Sequence, residues 1–154
     1  MTVFVLDDDP FVLKAITRAL SGSEVVTAEA WSALVAPVLR AGPGSVLVCD
    51  LDMPGIRGVD FCRTVKRHAP HIRVVVFSAG ALETLPAEVV DAAVPKSAGM
   101  GALVARVHAL AAEGGAAAKV DPPSPRRAPR SASHKRPDGP KSRSNPRPQG
   151  PSAR

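Results

Sequence analysis

The sequence predicts an α/β protein built on a doubly wound sheet of five parallel strands, in the order 2-1-3-4-5, with helices on both faces. Three observations predict this fold. Short apolar runs alternate with helical patterns along residues 1–113. Three of these runs are continuous and rich in β-branched residues, which is typical of strands buried on both faces of a parallel sheet. The other two are weaker, as edge strands are, and this places strands one, three and four inside the sheet.

The predicted strands cover residues 3–6, 24–28, 46–49, 72–77 and 92–95. The first, third and fourth are the continuous apolar runs, and the second and fifth are the weaker edges. Pro95 supports an edge position for the last strand, because proline has no N–H to donate to a neighbouring strand.

Four helical patterns separate or follow these strands. In the first, Asp9 is a suitable N-cap and Pro10 suits the first helical position. Apolar residues then recur at spacings of three and four, which predicts amphipathic helices. The four apolar faces consist of Val12, Leu13, Ile16, Ala19 and Leu20; Trp31, Leu34, Val35 and Val38; Phe61, Cys62 and Val65; and Leu103, Val104, Val107, Leu110 and Ala111.

Two stretches of helical pattern carry a proline. Pro37 is expected to kink or end the second helix, since proline lacks the N–H that a helix interior uses. Pro86 interrupts residues 79–91, between the fourth and fifth strands, where the helical pattern is weakest. We expect any helix in that stretch to be short or irregular.

Charge divides the chain into two regions. Residues 1–120 hold 11 Lys and Arg against 12 Asp and Glu, a net charge of −1, whereas residues 121–154 hold 9 against 2, a net charge of +7. The second region also contains 9 of the 16 prolines and none of the aromatic residues, a composition that cannot bury a core. We therefore predict one domain over residues 1–115 and a disordered basic tail, rich in proline, serine and arginine, over residues 116–154.

Composition also excludes several classes of protein. No apolar run approaches the ~20 residues that a membrane-spanning helix needs, and the first residues lack the basic segment of a signal peptide. Cys49 and Cys62 are too few for a disulfide framework or a zinc site, and they suit a reducing compartment. These features predict a cytoplasmic protein with no transmembrane segment.

Polar side chains follow four of the predicted strands. They are Asp7, Asp8 and Asp9 after the first strand, Asp50 and Asp52 after the third, Ser78 after the fourth and Lys96 after the fifth. Parallel strands bring their carboxyl ends to one edge, and ligands bind where the strand order reverses, here between strands one and three. Clustered carboxylates need a cation among them, or some must stay protonated, and oxygen ligands suit Mg²⁺. A carboxylate in such a site can attack a phosphoryl group, whose oxygens the lysine and the hydroxyl would bind.

Four segments, taken in this order, resemble the receiver domain of bacterial response regulators. They are VLDDDP at residues 5–10, VCDLDMPG at 48–55, VFSA at 76–79 and VPKS at 94–97. The resemblance covers residues 2 to about 113 and implies a flavodoxin-like fold. It also implies that the domain accepts a phosphoryl group from a sensor histidine kinase or a phosphotransfer protein, and that Mg²⁺ is the cofactor of this step.

The resemblance assigns a role to each residue of the pocket. It implies that Asp50 is the phosphoacceptor, and that Ser78 and Lys96 contact the phosphoryl group. The implied ligands of Mg²⁺ are Asp7, Asp8, Asp50 and the main-chain carbonyl of Asp52. Asp52 and Gly80 also match positions whose side chains tune self-hydrolysis of the phosphoaspartate. Beyond phosphorylating and slowly dephosphorylating itself, such a protein is not expected to be an enzyme.

Three features depart from the family pattern. Ala93 stands three residues before Lys96, where the family usually has an aromatic switch residue. Ser97 follows Lys96 in place of a frequent proline, and only 18 residues separate Ser78 from Lys96. The pocket is therefore expected to be complete, whereas the surface that usually transmits its state is altered.

We interpret the chain as a stand-alone response regulator that signals through protein–protein contacts. The alternative is a pseudo-receiver, a scaffold that keeps the fold and acidic pocket without depending on phosphate. Asp50-Leu51-Asp52 is also similar to the Asp-x-Asp motif of haloacid-dehalogenase-like phosphatases, which carry it after the first strand of a larger domain. The basic tail has several possible roles: binding nucleic acid, an anionic membrane surface or an acidic protein, docking through its prolines, or no partner at all.

Overall fold

The computed structural model describes residues 1–55, 57–80, 82 and 85–117. The strands are β1 (Thr2–Leu6), β2 (Glu24–Ala28), β3 (Val46–Cys49), β4 (Arg73–Ser78) and β5 (Ala92–Pro95). The α-helices are α1 (Pro10–Ala19), α2 (Trp31–Leu39), α3 (Gly58–His68) and α4 (Gly99–Ala117), and one turn of 3-10 helix (Lys96–Ala98) joins β5 to α4. Helix α4 thus extends two residues into the predicted tail, whose remaining residues, 118–154, lie outside the described part.

The five strands form one parallel sheet in the order β2-β1-β3-β4-β5, which confirms the predicted topology. The register aligns the carboxyl ends of the central strands, with Leu6 opposite Cys49 and Cys49 opposite Val76. The residues that follow β1 and β3 therefore emerge side by side, at the position where the strand order reverses.

Alternate residues of each strand pack into two apolar cores, one on each face of the sheet. Each fully buried leucine or isoleucine stabilises such a core by about 1.5–3 kcal/mol relative to an exposed one. On one face, α1 and α4 contribute Leu13, Ile16, Leu20, Leu103, Val107 and Leu110. On the other face, α2 and α3 contribute Leu34, Val38, Phe61, Cys62 and Val65. Because both faces are covered, the interiors of the central strands are apolar, as predicted, with Val3–Leu6, Val46–Cys49 and Val74–Phe77 as continuous apolar runs.

The segment between β4 and β5 differs from an ordinary strand–helix–strand unit. Its described residues form no helix, and their one compact feature is a turn in which the Pro86 carbonyl accepts from the N–H groups of Val89 and Val90 at 3.0 and 3.2 Å. Val89 is buried at this turn and packs on the α2–α3 side of the sheet. The described residues therefore form a turn with one buried valine where the sequence predicted a short or irregular helix.

Three details of the helices differ from the sequence predictions. Helix α2 continues for two residues beyond Pro37, so of the two predicted effects of this proline the ending of the helix at Pro37 is wrong. Trp31 was expected in the core, but it is the first residue of α2 and remains 40% exposed, since Leu34 and Val38 form the buried face. Ala19, at the last position of α1, is also exposed.

Among the described residues, no helix combines the length and the apolar character that crossing a bilayer would require. Cys49 and Cys62 are buried free thiols, and they pack as small apolar residues in the α2–α3 core.

Candidate functional site

Three carboxylates meet at the carboxyl edge of the sheet, between β1 and β3. Asp7 and Asp50 are each the first residue after their strand, and both are buried, whereas Asp8 is exposed. One oxygen from each of Asp7, Asp8 and Asp50 lies within 4.8 Å of the others. The structure therefore brings together three of the acidic residues that the sequence analysis placed in one pocket.

Lys96, which follows the edge strand β5, contacts two of these carboxylates. It follows β5 as the first residue of the 3-10 turn, and its Nζ donates to Asp7 Oδ2 at 2.9 Å and to Asp50 Oδ2 at 2.7 Å. A single ammonium group is thus shared by two buried carboxylates. Charge-assisted hydrogen bonds of this kind are among the strongest that proteins form.

The shared lysine affects the acid–base properties of all three partners. Burial alone would raise the pKa of Asp50, but hydrogen bonds from Lys96, from the Asp52 N–H and from the Ser78 hydroxyl outweigh it and lower that pKa. At Asp7 burial dominates, so its pKa is raised although Lys96 opposes the shift. Burial would lower the pKa of Lys96, but its bonds to Asp50 and Asp7 raise it. Asp50 is therefore held as the carboxylate, the form that a nucleophile needs.

Backbone N–H groups fix the orientation of the two buried carboxylates. Asp7 Oδ1 accepts from the N–H of Asp9 at 2.9 Å, and Asp50 Oδ1 accepts from the N–H of Asp52 at 3.2 Å. Asp9 in turn caps α1 by accepting from the N–H of Phe11 at 2.8 Å, as predicted. Each carboxylate is therefore held by the turn that directly follows it, which leaves little freedom for its side chain to rotate.

Ser78 and Asp52 lie together beside this group. Ser78, the last residue of β4, is fully buried, and its Oγ donates to Asp52 Oδ2 at 2.8 Å. The N–H of Gly80 donates to the same Oγ at 3.3 Å. The sequence analysis gave Asp52 a role through its main-chain carbonyl and did not anticipate that its side chain binds Ser78.

Gly58 is a second feature that the sequence analysis missed. It is the first residue of α3, and a Cβ there would lie 2.5 Å from the carbonyl oxygen of Asp50 and 2.7 Å from Leu51 Cα. Only glycine lets α3 start this close to the backbone of the central carboxylate. A glycine at the start of the predicted third helix, just after the Asp50 loop, was the available signal.

The departures expected near Lys96 are present. Ala93 is exposed on β5, so no large side chain occupies the position three residues before the lysine. Lys96 and Ser97 belong to the 3-10 turn that leads into α4. The acidic pocket is thus assembled, while the neighbouring edge strand β5 carries no aromatic side chain.

The donor set of the pocket fits Mg²⁺. All the candidate side-chain ligands are carboxylate oxygens, which hard divalent cations prefer, and Mg²⁺ commonly uses one or two carboxylates together with water and phosphate oxygens. Three carboxylates against one ammonium leave negative charge in excess. The exposed Asp8 gives a bound ion access to solvent.

Comparison with known proteins identifies the same kind of domain. Residues 3–108 match the sequence model of the response regulator receiver domain. The hydrogenase transcriptional regulatory protein HoxA of Cupriavidus necator is 37% identical over 78 residues, which is 50% of this chain and 16% of that protein. The chain therefore matches about a sixth of that relative's length.

Solved structures share the fold. A CheY-like response regulator receiver domain protein of Methanospirillum hungatei superposes with a TM-score of 0.68 at 16% identity, over 75% of this chain and 97% of that one. The response regulator TrrA of Thermotoga maritima, solved in complex with Mg(2+)-BeF, gives a TM-score of 0.64 at 22% identity, over 71% of this chain and 97% of that one. At these identities the likeness concerns the five-stranded parallel fold alone.

Proposed function

The chain belongs to the response regulator receiver domain family of two-component signalling, and from that premise we propose that Asp50 accepts a phosphoryl group from a sensor histidine kinase or phosphotransfer protein. The receiver domain would span residues 1–115, with the basic residues 116–154 as its tail. It would act as a regulator in its own right, through contacts with other proteins in the cytoplasm.

One observation carries this proposal. Lys96 Nζ binds Asp50 Oδ2 at 2.7 Å and Asp7 Oδ2 at 2.9 Å, at the point where the strand order reverses. Two buried carboxylates next to each other repel one another, so placing both beside a single ammonium costs stability that a purely structural pair would avoid, all the more because the exposed Asp8 adds a third negative charge. A site for phosphoryl transfer accounts for the arrangement, because that reaction requires a nucleophile, here Asp50, and nearby positive charge, here Lys96 together with a bound Mg²⁺.

The proposed reaction moves the phosphoryl group from a histidine nitrogen to Asp50. An ionised Asp50 oxygen forms a bond to phosphorus, the phosphorus–nitrogen bond of the donor breaks, and the imidazole keeps the electron pair and takes up a proton. Lys96 and the Ser78 hydroxyl would then bind phosphoryl oxygens. Mg²⁺, held by Asp7, Asp8, Asp50 and the main-chain carbonyl of Asp52, would supply the charge that offsets those oxygens.

The alternative of a phosphate-independent scaffold gains no support from the pocket. Such a scaffold would have no need for a lysine shared by two buried aspartates or for an ionised Asp50. The departures from the family lie near the readout surface, at Ala93 and Ser97 and in the segment before β5, whose described residues form no helix. Those departures concern how a signal leaves the domain and do not prevent the domain from receiving one.

Intact mass spectrometry tests the proposal. The full chain is incubated with acetyl phosphate and Mg²⁺, and we expect it to gain one phosphoryl group, with no gain in excess chelator. Asp50→Asn should abolish the gain, because an amide cannot replace the carboxylate nucleophile.

Asp60→Asn is the matched control. Asp60 is an exposed α3 residue paired with Arg63, so this variant should be labelled like the wild type. If Asp50→Asn is labelled as well, another residue is the acceptor. If neither acetyl phosphate nor a panel of phosphorylated histidine kinases labels the wild type, the proposed function is wrong.

A further inference from the structure

The hydroxyl of Ser78 is already engaged before any phosphoryl group is present. Ser78 has no exposed surface, and its Oγ donates to Asp52 Oδ2 at 2.8 Å. A buried hydroxyl without an acceptor would cost about 1–3 kcal/mol. The bond of good geometry goes to Asp52, although the hydroxyl also lies close enough to Asp50 to help lower the pKa of that carboxyl. The hydrogen bond to Asp52 therefore holds the serine in one orientation.

A hydrogen bond holds the backbone of Asp52, and a glycine leaves room for its side chain. Its N–H donates to Asp50 Oδ1 at 3.2 Å, which ties the start of the loop to the central carboxylate. Gly80 provides the space for its side chain, because a Cβ at Gly80 would lie 3.1 Å from Asp52 Oδ2 and 3.4 Å from Oδ1. The loops after β3 and β4 are thus joined through Asp52, Ser78 and Gly80.

A hydroxyl has one proton to donate. If Ser78 is to bind a phosphoryl oxygen on Asp50, its hydrogen bond must leave Asp52. We infer that the Asp52 carboxylate is a positioning residue that holds Ser78 in its unphosphorylated orientation and thereby opposes phosphoryl binding. This inference rests on the proposed function, since it states that the binding of a phosphoryl oxygen by Ser78 must first break the hydrogen bond to Asp52.

Asp52 could also oppose a phosphoryl group simply because both are negative. Two neutral replacements separate the effects. Asp52→Asn removes the charge but keeps an amide oxygen that can accept from Ser78, whereas Asp52→Ala removes both. Asp52 is exposed, so neither replacement removes a core side chain.

The test measures the affinity of the full chain for beryllofluoride, an analogue of the phosphoryl group, in excess Mg²⁺, by titration followed with NMR. The inference predicts that Asp52→Ala binds the analogue roughly two- to tenfold more tightly than Asp52→Asn, the range that corresponds to one net hydrogen bond. In a Ser78→Ala background the two variants should bind equally, because the donor is gone.

The outcomes distinguish the inference from the proposed function. If the two variants bind equally in the presence of Ser78, or if the Asn variant binds more tightly, charge alone explains Asp52 and the inference is wrong, while the proposed function stands. If the wild type does not bind the analogue at all, the proposed function fails. The inference is then judged from the side-chain couplings of Ser78 in the free protein: Asp52→Ala must change the Ser78 rotamer and Asp52→Asn must not, and any other result overturns it.

Discussion

Two charged clusters lie at opposite ends of the sheet, and their charge ratios are inverted. At the carboxyl end, Lys96 is shared by Asp7 and Asp50. At the amino end, Asp91 is shared by Lys66 and Arg73. We call these the carboxyl-end cluster and the amino-end cluster.

In the amino-end cluster, both oxygens of the Asp91 carboxylate already accept hydrogen bonds. Asp91 Oδ1 accepts from Arg73 at 2.9 Å, and Oδ2 accepts from Lys66 and from the N–H of Val74, the latter at 2.7 Å. Lys66 also donates to the carbonyl of Ile72 at 2.9 Å. Burial would raise the pKa of Asp91, yet these donors together lower it. Such a cluster leaves little for a ligand to gain, and its role is structural.

The carboxyl-end cluster is unbalanced. The nearby Asp8 adds a further negative charge, and the pKa of Asp7 is raised by a burial cost that Lys96 does not fully offset. The difference between the clusters shows how a functional pocket can be recognised: its charges are incompletely compensated until a ligand arrives. The amino-end cluster, by contrast, can stabilise a part of the fold that has few other contacts.

That part of the fold is the start of β5. The described residues before it form no helix, and β5 itself has only four residues. Asp91 holds the start of β5 in place through its ion pairs. Its own N–H also donates to the Val74 carbonyl at 2.9 Å. Since Lys96 follows β5 directly, the amino-end cluster helps to set the position of the lysine in the pocket.

The largest effect is expected from Asp91→Ala. This change leaves Lys66 and Arg73 without their counter-charge while both remain partly buried, with exposed side-chain fractions of 15% and 30%. Breaking a fully buried pair costs about 3–5 kcal/mol, so with this exposure we expect the free energy of unfolding to fall by about 2–3 kcal/mol. Urea denaturation at neutral pH measures the loss.

Asp60→Ala is the control for that measurement. The pair between Asp60 and Arg63 is about half exposed on both sides, and pairs of this kind contribute about 0–1 kcal/mol. Equal losses in the two variants would show that the amino-end cluster is no more than a surface ion pair.

The comparison also shows which parts of the molecule a sequence can reveal. The sheet order and the carboxyl-end cluster could be predicted because their residues directly follow continuous apolar strands. Asp7 and Asp50 occupy such positions, and the register of a parallel sheet brings them together. Ser78 and Lys96 could be placed by the same argument, since Ser78 is the last residue of β4 and Lys96 directly follows β5.

The amino-end cluster was not predicted because its members come from unrelated positions. Lys66 lies on a helix, Arg73 begins a strand and Asp91 ends a loop, so no spacing links them. The bond between Asp52 and Ser78 was missed for a similar reason, because it depends on side-chain orientations in two loops. Pro86 predicted a short or irregular helix before β5, and the described residues there form none. The burial of Val89 could not be predicted, because it depends on tertiary packing.

Acid provides a second test, since it should remove the ionic part of the Asp91 effect. The pKa of Asp91 in the folded protein is lowered from its ordinary value of 3.8. Its stabilising contribution is therefore fully present above that value and is lost as the pH falls through the folded-state pKa. The difference in unfolding free energy between the wild type and Asp91→Asn should stay constant from neutral pH to about pH 5 and narrow below about pH 4. A difference that persists or grows in acid would show that Asp91 stabilises the fold by hydrogen bonding alone.

The smallest expected effect is also the one that separates the two clusters most directly. A ligand at ten times its dissociation constant stabilises a protein by about 1.4 kcal/mol, and Mg²⁺ should raise the free energy of unfolding of the wild type by this amount. Asp8→Asn should lose most of the increase, because Asp8 is an exposed member of the carboxyl-end cluster whose replacement removes a ligand without opening the core. Asp91→Asn should retain the whole increase although it is less stable, since independent sites contribute additively. If Asp91→Asn lost the increase as well, the two clusters would be coupled, and the path from Asp91 through β5 to Lys96 would be the physical link between them.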